Sequence, residues 1–183
     1  MNDMTVPELR HLPEGVHRTP RLGIDIGRVI IDGSSHPEGG DTAFFAGNEA
    51  TMVATPEMAG AVDSIARLVT AFGGRVWLVS KCGPRVQART LRWLDGHDFY
   101  VRTGMDADHV RFCRTRPEKR RISRELDLTH FVDDRIDVHE AVQGTVEHQY
   151  LFGPQRRTPP PYVWPTVTWA DAERLILATL LPV

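Results

Sequence analysis

Apolar residues along this chain follow two rhythms that alternate. Short runs at "LGIDI", "RVWLVS" (75–80), "HVRFCR" (109–114), "HFVDD" (130–134) and "VEHQYLFG" (146–153) have the length and composition of buried strands. Between the first two, Met58, Val62, Ile65, Leu68 and Val69 recur at helical spacing until Gly73–Gly74 stop them. "PRVQARTLRWLDGH" (84–97) is a second helix, with Pro84 suited to its first turn and Gly96 to its end. "PEKRRISRELDL" (117–128) is a third, and "WADAERLILATL" a short terminal one. Strand–helix alternation of this kind predicts a three-layer α/β sandwich around a mostly parallel central sheet of about five strands, with "VEHQYLFG" the last.

Three segments keep neither rhythm. Residues 1–20 carry three prolines and are expected to be an irregular arm. Residues 32–57 are rich in Gly, Ser and Thr around the pair Phe44–Phe45; the stretch is too long for a simple connection and is expected to be a small cap or lid. Residues 154–183 open on "GPQRRTPPPYVWP", whose prolines favour an extended strap across the surface ahead of the terminal helix. All of this is expected to form a single domain over 1–183.

Composition narrows the partners. A net charge of −2, from 22 basic and 24 acidic residues, gives no reason to expect a nucleic-acid polymer or an anionic membrane. No apolar run approaches the ~18–20 residues that span a bilayer, and "MNDMTVPELRHLPEG" is neither a signal nor a transit peptide. Cys82 and Cys113 make no disulfide framework, and neither they nor the histidines (His36, His97, His109, His130, His139, His148) show zinc spacing. A cytoplasmic protein with reduced thiols is the expectation.

The chemistry lies where the runs end. Ligands of parallel α/β sheets bind outside the carboxyl ends of the strands, and three runs finish there in polar groups: Asp25, Ser80 with Lys81, and Asp133 with Asp134. Two carboxylates there suit a hard divalent cation such as Mg²⁺, and a carboxylate is also a competent nucleophile toward phosphorus. A serine hydroxyl and a lysine would then hold and neutralise a transferring phosphoryl group.

In order and spacing these residues resemble the haloacid dehalogenase-like (HAD) hydrolases, over about two thirds of the chain, residues 21–137. "IDIGRVI" looks like the family's first motif, with Asp25 the nucleophile; "WLVSK" looks like the second, with Ser80; Lys119 in "RPEKRRI" suits the third; "HFVDD" suits the fourth. The resemblance implies a HAD-like Rossmannoid core, a Mg²⁺ held by Asp25, the Gly27 carbonyl and Asp134, and Asp133 in support or on metal-bound water. A local likeness of "VRFCRTRPEKRRI" and "FVDDRIDV" to the 5′(3′)-deoxyribonucleotidase branch adds a nucleotide to the candidate substrates.

One departure matters. Where most phosphatases of the family carry a second Asp as general acid, this chain has Gly27. A good leaving group, an acid from elsewhere (Asp32 and His36 are near in sequence) and a module that binds without turnover each account for it. Several of the candidate residues also admit a plainer role. Ser80 is equally a helix-entry residue, Lys119 sits in a charge run typical of a solvated face, and Lys81 or a neighbouring arginine is the substitute phosphate ligand. Arg28 follows Gly27 and is placed to meet an anionic substrate or merely the solvent; Phe44–Phe45 serve the pocket or the core. The expected activity is Mg²⁺-dependent hydrolysis of a small phosphate monoester through an aspartyl-phosphate. A catalytically weak phospho-ligand or protein-binding module is the competing reading, and carbon–halogen cleavage is disfavoured by the paired acids.

Overall fold

In the computed structural model, which describes residues 18–35 and 41–181, the runs assemble into six strands, all parallel. They are β1 (Leu22–Ile24), β2 (Val76–Lys81), β3 (Val110–Cys113), β4 (His130–Asp133), β5 (His148–Phe152) and β6 (Trp164–Thr166), in the order β3-β2-β1-β4-β5-β6. Strands are added outward from β1 in one direction through β3 and in the other from β4 onward. β1 is therefore flanked by β2 and β4 at the switch point where such sheets place their ligands.

The sixth strand corrects the expected five. Trp164–Thr166 lies inside the proline-rich segment, and it is tolerated because an edge strand does not need the N–H that Pro165 lacks. The helices are α1 (Asp41–Ala46), α2 (Glu49–Val53), α3 (Ala61–Ala71), α4 (Pro84–Gly96), α5 (Phe99–Thr103), α6 (Glu118–Glu125), α7 (Ile136–Val142) and α8 (Trp169–Ala178). Four of these, α1, α2, α5 and α7, have no counterpart in the periodicity, since five to seven residues are too few to establish a 3.6-residue repeat. Residues 32–57 hold a 3₁₀ turn, Gly33–Ser35, and then α1 and α2. The expected arm lies outside the described residues except for 18–20, as do His36 and the last two residues of the strap-and-helix segment. Among the described residues, no helix is long and apolar enough to cross a membrane.

Alternation along the strands sorts the core into two layers. Leu22, Ile24, Val76, Leu78, Val132, Tyr150 and Phe152 pack with residues of α3, α4, α5 and α8 on one face. Trp77, Val79 and Phe131 pack with Ile122 of α6 and Val138 and Val142 of α7 on the other. Gly23 faces this second layer. A Cβ there would stand 2.6 Å from both Leu128 and Phe131, so the central strand needs glycine for close packing.

His130, at the opposite end of β4 from the acids, is buried and neutral. Its Nδ1 lies 2.6 Å from the Thr129 hydroxyl and its Nε2 2.8 Å from the Thr179 hydroxyl. Burial first, and the neighbouring His148 second, push its pKa down to about 3. A histidine lowered in the fold contributes its full stability above the unfolded value near 6.5 and loses it as pH falls toward the folded value. His130→Gln therefore costs stability at pH 7.5, and the cost shrinks by up to about 1 kcal/mol per pH unit below ~6.5. Urea unfolding of both proteins at pH 7.5 and 5 measures it; a cost independent of pH would show that His130 is not an acid-sensitive group.

Candidate active site

The parallel register sets three strand ends side by side. Asp25 directly follows β1, Ser80 lies near the end of β2, and Asp133 ends β4 with Asp134 just beyond. The Asp25 amide donates to the Val132 carbonyl at 2.9 Å, which ties the first acid to the strand that carries the other two. One carboxylate oxygen from each of Asp25, Asp133 and Asp134 lies within 4.8 Å of the others.

Lys119 comes to this edge from the first turn of α6. Its neighbours Arg120 and Arg121 are exposed, yet Lys119 itself is only 2% exposed. Its Nζ donates to Asp25 Oδ1 at 2.6 Å and to Asp133 Oδ2 at 2.7 Å. A solvated-face role for this lysine is thereby removed. The other oxygen of Asp133, Oδ1, accepts the Arg135 amide at 2.9 Å, so both of its oxygens are engaged.

The electrostatics follow from three clustered acids, two of which share one buried cation. Burial raises the Asp25 pKa to about 6; Lys119 opposes the rise and Asp133 adds to it. Burial, then Asp133 and Asp25, push Asp134 up to about 7. Burial also raises Asp133 above the ordinary carboxylate range against the pull of Lys119. On Lys119 burial favours the neutral form, but the two carboxylates outweigh it and hold the ammonium charged. The cluster is short of positive charge, which a divalent cation would supply. Its hard oxygen donors fit Mg²⁺.

A cavity of about 410 Å³ opens on these groups. Asp25, Gly27, Arg28, Ser80, Lys81, Lys119 and Asp134 line it, so every site residue expected from the sequence except Asp133 reaches its surface. Arg28 stands in a tight turn with a φ of 63°, a conformation uncommon and strained for a residue with a side chain. Phe45 is 49% exposed along the wall, while Phe44, edge-to-face with it at 5.5 Å, is buried. Both rings reach the cavity lining, Phe45 as its open member and Phe44 as a buried residue that also packs into the core.

Two lining cations went unread in the sequence: Arg116 just before α6 and Arg135 just after the acidic pair. Both approach Asp137, at 3.4 Å and 3.3 Å. The adjacency in "DDR" was the available signal for Arg135; Arg116 had none beyond its charge. Cys82 also lines the cavity, but burial and then the charge of Asp25 push its thiol up to about 11, far from a thiolate nucleophile.

Asp32 does not stand in for the missing acid. It lies outside this cavity, along a neighbouring groove. Its carboxylate accepts the Ser34 hydroxyl at 2.6 Å, the Ser35 amide at 3.3 Å and the Ser35 hydroxyl. Partial burial raises its pKa, but these hydrogen bonds outweigh burial and hold it below the usual range, as an acceptor without a proton to give.

No protein-family model matches the chain, and no curated protein matches its sequence. Solved structures do match. A D,D-heptose 1,7-bisphosphate phosphatase from B. bronchiseptica, complexed with magnesium and phosphate, superposes with a TM-score of 0.61 at 15% identity, over 87% of this chain and 99% of its own. A haloacid dehalogenase-like family hydrolase from Xanthomonas campestris gives 0.60 at 11% identity, over 87% and 95%. A HAD family hydrolase from Deinococcus radiodurans R1, with bound phosphate and sodium, gives 0.61 at 12%, over 90% and 99%. The chain has the HAD-like fold; these neighbours do not single out the nucleotidase branch.

Proposed function

We propose that the protein hydrolyses phosphate monoesters of small metabolites by passing the phosphoryl group through Asp25. The observation that carries this reading is the Asp25–Lys119–Asp133 chain of hydrogen bonds beside a cavity that Asp25 and Lys119 line, with Asp134 alongside. Asp25 is half of a nucleophile's requirement, a carboxylate at a strand end that lines the cavity; Lys119 supplies the other half by fixing the orientation of that carboxylate through one of its oxygens.

Asp25, Asp134 and the Gly27 carbonyl are the donors that would hold Mg²⁺. When bound, the ion offsets repulsion between the carboxylate and the phosphoryl dianion and polarises a phosphoryl oxygen. Asp133, with both oxygens engaged, positions Lys119. Ser80 donates to a phosphoryl oxygen, and Arg28, Lys81, Arg116 and Arg135 draw the anion in. The neighbours solved with magnesium or phosphate support both the ion and the substrate class.

Phosphate release from p-nitrophenyl phosphate tests the proposal. Turnover is expected with Mg²⁺ and is expected to fall to background when the ion is chelated. Mg²⁺ is also expected to raise the melting temperature, because it binds the folded acid cluster and not the unfolded chain. Gly27 favours a second reading, a module that binds phosphorylated ligands without turnover. Phosphate binding with no release from a broad ester panel would establish that reading instead.

A further inference from the structure

Part of the cavity lining is apolar, and the stretch that carries Phe44 and Phe45 is fixed in place. Arg89, Trp93 and His97 recur every fourth residue on one face of α4 and its C-cap, and all three hold carbonyls of the 44–55 stretch. Arg89 donates to the Phe44 carbonyl at 2.7 Å and the Gly47 carbonyl at 2.6 Å. Trp93 Nε1 donates to the Thr55 carbonyl at 2.8 Å, and His97 Nε2 to the Val53 carbonyl at 2.8 Å. Gly96 lets α2 approach closely, since a Cβ there would meet Val53 at 2.9 Å. Phe45 is therefore presented to the cavity by a braced backbone, and Ile31, Phe44 and Val86 add apolar surface to the same lining.

The same cavity is poor in acids. Among the described residues lining it, the carboxyls are Asp25 and Asp134 alone, and no histidine lines it. Gly27 faces open space: a Cβ there would meet nothing within 4 Å, so an aspartate would fit but is not present. An alkoxide leaving from phosphorus needs a proton from such a group. A phenolate does not.

We propose that Phe45 is a platform for the leaving group and that the substrates are aryl phosphates, esters whose departing oxygen is borne by a flat, apolar ring. This rests on the phosphatase reading and narrows its substrate class. In the first step the Asp25 carboxylate forms a bond to phosphorus and the P–O(aryl) bond breaks. The electron pair leaves on the phenolate, which takes its proton from solvent. In the second step water cleaves the aspartyl-phosphate, freeing hydrogen phosphate and one proton and restoring the carboxylate. The sum is ester plus water giving phenol plus phosphate.

Two measurements decide it. Calorimetry on the Mg²⁺-loaded protein compares phenylphosphonate with methylphosphonate. Wild type is expected to bind the aryl compound about tenfold more tightly. Phe45→Ala is expected to bring that ratio to about one while leaving methylphosphonate binding unchanged, which also shows the variant is folded. Equal wild-type affinities would overturn the platform. The second measurement follows kcat/KM across substituted phenyl phosphates and an alkyl phosphate. A steep rise with the acidity of the leaving alcohol is expected, and Gly27→Asp is expected to speed the alkyl ester by about 10²-fold. A flat wild-type dependence would overturn the leaving-group claim by showing that another group supplies the proton. Release from no ester at all would overturn the phosphatase reading, and the phosphonate ratio would still judge Phe45 on its own.

Discussion

Asp25→Asn is expected to lower turnover by about 10³-fold or more while making the metal-free protein more stable. Both effects come from one carboxylate. Asparagine keeps the shape but cannot attack phosphorus, so the covalent route closes. The stability gain arises because Asp25 is buried beside two other acids and its pKa stands at about 6 instead of the ordinary 3.8. An acid raised in the fold penalises the folded state above its folded pKa, and the penalty disappears as pH falls toward the unfolded value. At pH 7.5 the substitution is therefore expected to gain about 1–3 kcal/mol, and at pH 4 almost nothing. Mg²⁺ should reverse the order, stabilising wild type more than the variant, because the variant has lost a ligand. Denaturant unfolding with and without the ion, alongside the phosphatase assay, provides the check. Full activity in the variant would remove Asp25 from the chemistry, and a loss of stability in metal-free buffer would remove the charge-crowding account.

Lys119→Met is expected to do the opposite to stability. The ammonium is buried and donates to Asp25 and Asp133. Methionine fills much of the same volume but leaves two buried carboxylates without their cation. Breaking a buried pair by removing one partner costs about 3–5 kcal/mol, far more than an exposed pair, which is worth ~0–1 kcal/mol. The cost should be greatest at pH 8 and shrink toward pH 5, as carboxyls already poised near 6 and 7 take up protons in place of the lost ammonium. Turnover should fall with it, because Asp25 loses the group that orients it. Unfolding curves at the two pH values measure the effect. A cost below about 1 kcal/mol at pH 8 would mean that this lysine behaves as a surface residue.

The contrast between these substitutions depends on burial, which the local sequence around Lys119 does not reveal. "PEKRRISRE" reads as a charged helix face, and most of it is one: Arg120, Arg121 and Arg124 are exposed. Position 119 differs because α6 packs with β2 and β3 and aims its first turn at the strand ends. The three acids were legible for the opposite reason. An apolar run that ends on a carboxylate states both the strand and the edge at which its side chain emerges.

Periodicity alone determined five of the strands, four of the helices and the strand-end positions of Asp25, Ser80, Asp133 and Asp134, because burial on both faces of a parallel sheet leaves unbroken apolar runs. It could not determine β6, α1, α2, α5 or α7. The first is an edge strand among prolines, and the four helices are shorter than the repeat that would betray them. Only the tertiary structure decided that Lys119 is buried between two acids, that Asp32 is spent on its own turn, and that Phe45 stands open to the cavity while Phe44 is buried. Each of those depends on contacts between segments distant in the chain or on which way a turn points a side chain, and neither quantity is written in the order of residues around it.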